Sequence, residues 1–244
     1  MIVTANPLAT KAGFDILNNG GNAVDALVTS QLVLNLVEPQ SSGIGGGAFS
    51  LFFDSRNKTL TSYDGREMAP SEANENYFRF PNGEFFTWPD ARIGGRSIGV
   101  PGTLKMLEHM HEKHGIKPWK DLFQTAIDLS KYGFVISKRL ANSVRNSENF
   151  GLAMFKSTER YFFPDGEPIK AGDTLKNPKF ANTLSAIAHK GSDFFYYELA
   201  EEIANATRTF LNPGIMKPED IKNYKVIERT PVCIRYQYNY EVCG

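Results

Sequence analysis

The spacing of apolar side chains divides the chain into helical and extended stretches. Asn6 suits a helix N-cap and Pro7 the first helical position, and Leu8, Ala12 and Ile16 form one stripe behind them. Asn18-Asn19-Gly20-Gly21 stops that helix. Asn22 then caps a second helix, predicted from Ala23 to about Leu36. Val24, Ala26, Leu27, Val28, Leu32, Val33, Leu34 and Leu36 leave it apolar nearly all round, so it belongs inside a fold. Pro39 ends it, and the run SSGIGGGAFS (Ser41–Ser50) follows. Phe49, Leu51 and Phe53 alternate with Ser50, Phe52 and Asp54, which predicts a strand with at least one well-buried face. Ser55–Lys58 is turn-like, and Thr59–Tyr63 returns as the partner strand.

Beyond the hairpin the pattern weakens. Pro, Asn and Gly accumulate from Ala69 to Gly95 and predict irregular structure, with a short strand at Ser97–Val100. Thr103 is positioned to cap a helix through His114, closed by Gly115. Pro118 opens another, with Trp119, Leu122, Phe123, Ala126, Ile127 and Ser130 on one face and Gly133 as its stop. Helices are predicted at Pro178–Ala188 and around Phe195–Thr207, and a short one from Pro218. Val232, Ile234, Tyr236, Tyr238, Tyr240 and Val242 alternate strictly, which predicts one terminal strand. No repeat, low-complexity tract or linker interrupts the chain, so residues 1–244 read as a single domain.

Composition narrows the function classes. Lysine plus arginine equals aspartate plus glutamate at 27 each, so no global field draws in nucleic acid or an anionic membrane. No apolar run reaches the length of a membrane span, and Met1–Ala5 lacks the regions of a signal peptide. Cys233 and Cys243 lack the C-x-x-C spacing of a zinc site and are too few for a disulfide framework, so cysteine usage leaves the compartment open.

Candidate chemistry is sparse. Gly43-x-Gly45-x-x-Ala48 fits a dinucleotide fingerprint in letters, but that site needs a strand before the glycines and a helix after them. Here the order is reversed. The glycines read instead as a tight helix-to-strand connection that permits positive φ and close backbone packing. His109, His111 and His114 stand at offsets that do not match the i, i+4 helical zinc pair, and a solvated helix end explains them better. Arg66, in Asp64-Gly65-Arg66-Glu67-Met68-Ala69-Pro70, could fork onto a carboxylate, although periodicity alone favours an exposed ion pair with Asp64 or Glu67. No Gly-x-Ser-x-Gly elbow or activated cysteine is present, so no catalytic residue, metal site or cofactor site is assigned.

The ordered motifs supply more. Asn22-Ala23-Val24-Asp25-Ala26, Glu38-Pro39-Gln40 with the glycine run, Asp64–Pro70, Gly94–Thr103, Gly166-Glu167-Pro168, Gly172-Asp173-Thr174-Leu175 and Glu228-Arg229-Thr230-Pro231 together resemble the γ-glutamyltransferase (γ-glutamyltranspeptidase) family over almost the whole chain. The resemblance implies an α+β, N-terminal nucleophile hydrolase fold, a four-layer αββα sandwich left incomplete by this large-subunit portion. It implies a proenzyme that cuts itself, so that the new terminal threonine of a small subunit attacks the γ-glutamyl carbonyl of glutathione or another γ-glutamyl compound. The acyl group then passes to water or an amine. It implies that Arg66 holds the α-carboxylate of the γ-glutamyl group, which reverses the preference for a plain ion pair. It also implies a turn near Asn239, which leaves open whether Val232–Val242 is a single strand.

The same resemblance implies a periplasmic or secreted enzyme, while the missing leader leaves the cytoplasm open. It leaves open related amidohydrolases acting on acylated β-lactams, oxamate or poly-γ-glutamate. A non-catalytic fragment is the reading from a different class. Because the family's nucleophile and most of its substrate contacts lie past Gly244, the isolated chain is expected to be inactive. Unpaired strand edges and exposed apolar surface are also expected, and with them poor solubility.

Overall fold

The computed structural model describes residues 1–146 and 151–244. Helix α1 spans Pro7–Asn18, and the Asn6 side chain accepts from the Leu8 N–H at its start. Helix α2 spans Ala23–Val37 with a full capping box, Asn22 accepting from Val24 and Asp25 while Asp25 accepts from Asn22. Val28, Leu32 and Val33 are fully buried. The buried polar groups of α2 are matched too. Ser30 donates to Ala9 O at 3.1 Å, Thr29 to Leu122 O at 3.0 Å, and the Asp25 carboxylate accepts from the Ile116 and Lys117 amides.

A one-turn helix, α3 (Pro39–Ser42), lies between α2 and the hairpin of β1 (Ala48–Asp54) and β2 (Thr59–Gly65). The hairpin pairs antiparallel from Ala48 with Gly65 to Asp54 with Thr59. Among the described residues a third strand completes the sheet in the order β1-β2-β5 (β5, Ile227–Arg229), and sequence periodicity did not reveal it. One sheet face, carrying Tyr63, packs on α2 and on α5 (Thr103–His114) through Val24, Met106 and Met110.

The other face corrects the expected buried strand. Phe49 is 65% exposed and Phe53 60%, and Leu51 and Ile227 are exposed beside them. The expected exposed apolar surface is therefore present.

Between the hairpin and α5 the chain is largely irregular, with a short α4 (Trp88–Arg92). The expected strand at Ser97–Val100 is instead a 3-10 turn, Gly95–Ser97, followed by a single bridge from Val100 to Met68. Thr103 is the first residue of α5, not its cap; Gly102 occupies the cap position without a side-chain bond. The Pro118 helix divides into a 3-10 turn, Trp119–Phe123, and α6 (Gln124–Tyr132), and Gly133 ends it at φ 105°. Strand β3 (Phe134–Val135) pairs with β4 (Thr174–Leu175), and α7 (Lys138–Arg145), α8 (Gly151–Met154) and α9 (Lys156–Phe162) lie between them in sequence.

Helix α10 (Pro178–Lys190) runs two residues past the expected end. The helix expected around Phe195–Thr207 is a π-helical turn, Phe194–Glu198, leading into α11 (Ala200–Ala206), and α12 (Pro218–Lys222) follows as expected. The terminal stretch, one strand by alternation and turned near Asn239 by the family resemblance, is turned. Strands β6 (Cys233–Tyr236) and β7 (Tyr240–Cys243) form a hairpin whose turn needs Gln237 at φ 51°, and a Cys233–Cys243 disulfide closes it. Alternation continues across such a turn because both arms present every second residue to the same side.

Candidate functional site

The glycine run, the end of β2, the Gly99–Thr103 segment and Tyr224, just past α12 (Pro218–Lys222), converge on Arg66. None of Gly43, Gly45, Gly46 and Gly47 has positive φ, so the expected left-handed backbone is absent. Close approach accounts for Gly47. A Cβ there would lie 2.5 Å from the Glu67 nitrogen and 2.7 Å from the Arg66 Cα. Gly46 O accepts from the Gly102 and Thr103 amides, each at 3.0 Å, which ties the run to the start of α5. Gly102 is confined as well, since its Cβ would lie 2.2 Å from both Gly65 O and the Tyr224 hydroxyl.

The Arg66 backbone is held from both sides of the chain. Its N–H donates to Asp64 Oδ1 at 3.0 Å, and its carbonyl accepts from the Tyr224 hydroxyl at 2.7 Å. Burial pushes the Tyr224 phenol up to about 12, so it remains a donor throughout the physiological range. The Arg66 side chain stays 52% exposed, with its guanidinium 5.9 Å from the centre of the Phe49 ring. Glu67 approaches it at 3.2 Å, which is one of the two ion pairs considered from sequence. Asp64 instead pairs with Arg229 at 2.8 Å. The Arg66 amide, helped by the Arg229 side chain, holds the Asp64 carboxyl below its usual range. An exposed pair such as Arg66–Glu67 contributes at most about 1 kcal/mol, so a ligand carboxylate can compete for the fork.

Arg66 stands between two open grooves. One is lined by Gln31, Gln40, Ser41, Ser42, Thr103 and the glycines. The other, of about 560 Å³, is lined by Met68, Asn74, Tyr77, Arg96 and Ile98 among others. Among the described residues no serine, threonine or cysteine of either groove is hydrogen-bonded to a histidine. The arrangement can bind an anion but does not itself assemble a nucleophile and its base.

The three histidines of α5 are half-buried and engaged, not solvated. His114 stacks on Phe52 at 4.2 Å and lies 2.7 Å from the Tyr63 hydroxyl. His109 meets Glu228 at 2.5 Å, and His111 Nε2 meets Lys117 O at 2.9 Å. Burial, and then the charge of Lys113, lower the His114 pKa from 6.5. Cys233, Glu241 and Cys243 lie close enough to share an ion, but the disulfide occupies both sulfurs. Among the described residues no helix is long and apolar enough to cross a membrane.

Sequence reasoning missed Tyr224, Arg229 and any separate role for Arg96. The first two reach the site from more than 150 positions away, where no local period connects them to Arg66. The only signal was indirect, because Arg96 and Arg229 lie inside the motifs that carried the resemblance.

A family profile described as gamma-glutamyltranspeptidase matches residues 9–244. The glutathione hydrolase proenzyme of Bacillus subtilis (strain 168) is 38% identical over 239 residues, and the alignment covers 97% of this chain and 40% of that protein. The glutathione hydrolase proenzyme of Escherichia coli (strain K12) is 35% identical, covering 99% of this chain and 41% of that protein. The chain thus spans about two fifths of the length of these relatives. The crystal structure of Helicobacter pylori gamma-glutamyltranspeptidase superposes with a TM-score of 0.90 at 31% identity, covering 99% of this chain and 68% of that one. An α+β chain with this match along nearly its whole length belongs to the gamma-glutamyltranspeptidase family.

Proposed function

We propose that residues 1–244 form one folding unit, the N-terminal large-subunit portion of a γ-glutamyltransferase that hydrolyses glutathione or related γ-glutamyl amides. The observation that carries the reading is Arg66. Its backbone is fixed by Asp64 and Tyr224, while its fork is left accessible at the junction of two grooves. A γ-glutamyl head carries an α-carboxylate, and a planar guanidinium held at a fixed point binds that group through two parallel charge-assisted bonds.

The uncovered face of the β1-β2-β5 sheet fits the inner half of an αββα sandwich whose second sheet comes largely from the small subunit. That subunit supplies the threonine nucleophile, its own α-amine acting as base. Residues 1–244 alone then release no p-nitroaniline from γ-glutamyl-p-nitroanilide, and measurable turnover by this chain would sink that part of the reading.

In the complete processed protein, Arg66→Ala should lower kcat/KM about 10- to 100-fold, mostly through KM, the size expected for a lost charge-assisted pair. Arg66→Lys should recover only part of this, because an ammonium cannot fork. An unchanged KM in Arg66→Ala removes Arg66 from the substrate site.

A further inference from the structure

The larger groove beside Arg66 is also lined by a second arginine, Arg96, which has no counter-ion among the described residues. Arg96 is half-buried, its guanidinium 5.3 Å from the centre of the Tyr77 ring and 5.0 Å from that of Phe86. It donates one bond, Nη1 to Tyr77 O at 2.8 Å, and its buried Nε has no hydrogen-bond partner. No carboxylate among the described residues lies within ion-pairing distance of it. Arg79 repeats the arrangement next door: it sits over Phe85 at 3.7 Å, donates to Gly83 O at 2.8 Å, and has a buried Nε without a hydrogen-bond partner. A second groove, shared by Arg79, Arg96, Asn76 and Asn212, continues the first.

An arginine side chain held by aromatic faces and a single carbonyl keeps its orientation but lacks a partner for its charge. Partly desolvated charge without a partner is costly in a protein and is tolerated where a ligand supplies the anion. We propose that Arg96, with Arg79 beyond it, forms a second carboxylate-binding subsite, which selects γ-glutamyl substrates or acceptors bearing a carboxylate on the amine side of the scissile amide. This rests on Arg66 as the anchor of the γ-glutamyl head. Because Arg66 and Arg96 line one groove, the ligand class is one with two acidic groups, such as a γ-glutamyl dipeptide or tripeptide with a free C-terminus.

The test uses the complete processed protein and two donors, γ-glutamyl-p-nitroanilide, whose leaving group is neutral, and γ-glutamylglycine, whose leaving group carries a carboxylate. Arg96→Met keeps the apolar stem between the rings and should raise KM for γ-glutamylglycine about tenfold, the size of one charge-assisted contact, with little change for γ-glutamyl-p-nitroanilide. Arg96→Lys should restore part of the loss, and equal melting temperatures for wild type and both variants exclude a folding defect. If Arg96→Met weakens both donors equally, or neither, the subsite is overturned. Arg66→Ala serves as the internal control, because it should weaken both donors. Loss of its effect on both overturns the anchor while the donor difference at Arg96 is still read independently.

Discussion

Helix α2 and strand β1 are comparably apolar in sequence and end in opposite surroundings. Leu32 and Val33 of α2 are fully buried, closed in by α1, α5 and α6, and each buried hydroxyl or carboxylate beside them finds a backbone partner. Phe49, Leu51 and Phe53 of β1 point away from those helices, and nothing among the described residues covers them. The hydrophobic pattern states that a face requires a partner; it does not state that the partner belongs to the same chain.

The comparison can be broken most sharply by truncation. Leu32→Ala should destabilise the chain by about 2–5 kcal/mol, the range for a fully buried leucine, and Leu51→Ala should change it by under about 0.5 kcal/mol. Urea unfolding of both variants settles the point. A large loss at Leu51 would mean that the sheet face is already covered in solution, for instance by self-association.

A smaller effect separates two glycines of the same run. Gly47→Ala should destabilise by about 1–3 kcal/mol, because its Cβ meets the backbone of Arg66 and Glu67. Gly45→Ala meets nothing within 4 Å and should be close to neutral. In the complete protein Gly47→Ala should also raise KM by displacing Arg66, whereas Gly45→Ala should not.

The smallest effect concerns the sheet face that is covered. His114 beneath Phe52 has a folded pKa below 6.5, so below that value the unfolded chain binds the proton more readily than the native one. Stability therefore falls as pH drops below 6.5 and stops falling once the folded pKa is passed. His114→Gln should flatten the slope of melting temperature between pH 6.5 and 5. A slope unchanged in the variant assigns it to other groups.

Much of this was legible from residues close together in sequence. Asn22 announces the cap of α2, Ser55–Lys58 the hairpin turn, and Pro218 the start of α12. Several of the errors depended on a distant partner. Val100 bonds Met68 instead of extending into a strand, and β5 joins β2 across the length of the chain. Of the two reasons the sequence offers for the glycines of Ser41–Ser50, positive φ fails and close backbone packing holds at Gly47, against the backbone of Arg66 and Glu67, which local sequence cannot place. Arg66 itself is legible only through the ordered motifs, because periodicity treats it as one more exposed charge.

The bond from the Tyr224 hydroxyl to Arg66 O closes a separation of 158 residues. Contacts this remote form late, since the intervening loop must be ordered before they repay its closure. During synthesis, at about 5–20 residues per second, Arg66 waits many seconds in the growing chain before its tether exists. The surroundings of Arg66 are thus among the last parts of the molecule to acquire their shape. A nascent chain halted before Tyr224 carries the arginine without the hydroxyl that fixes its backbone.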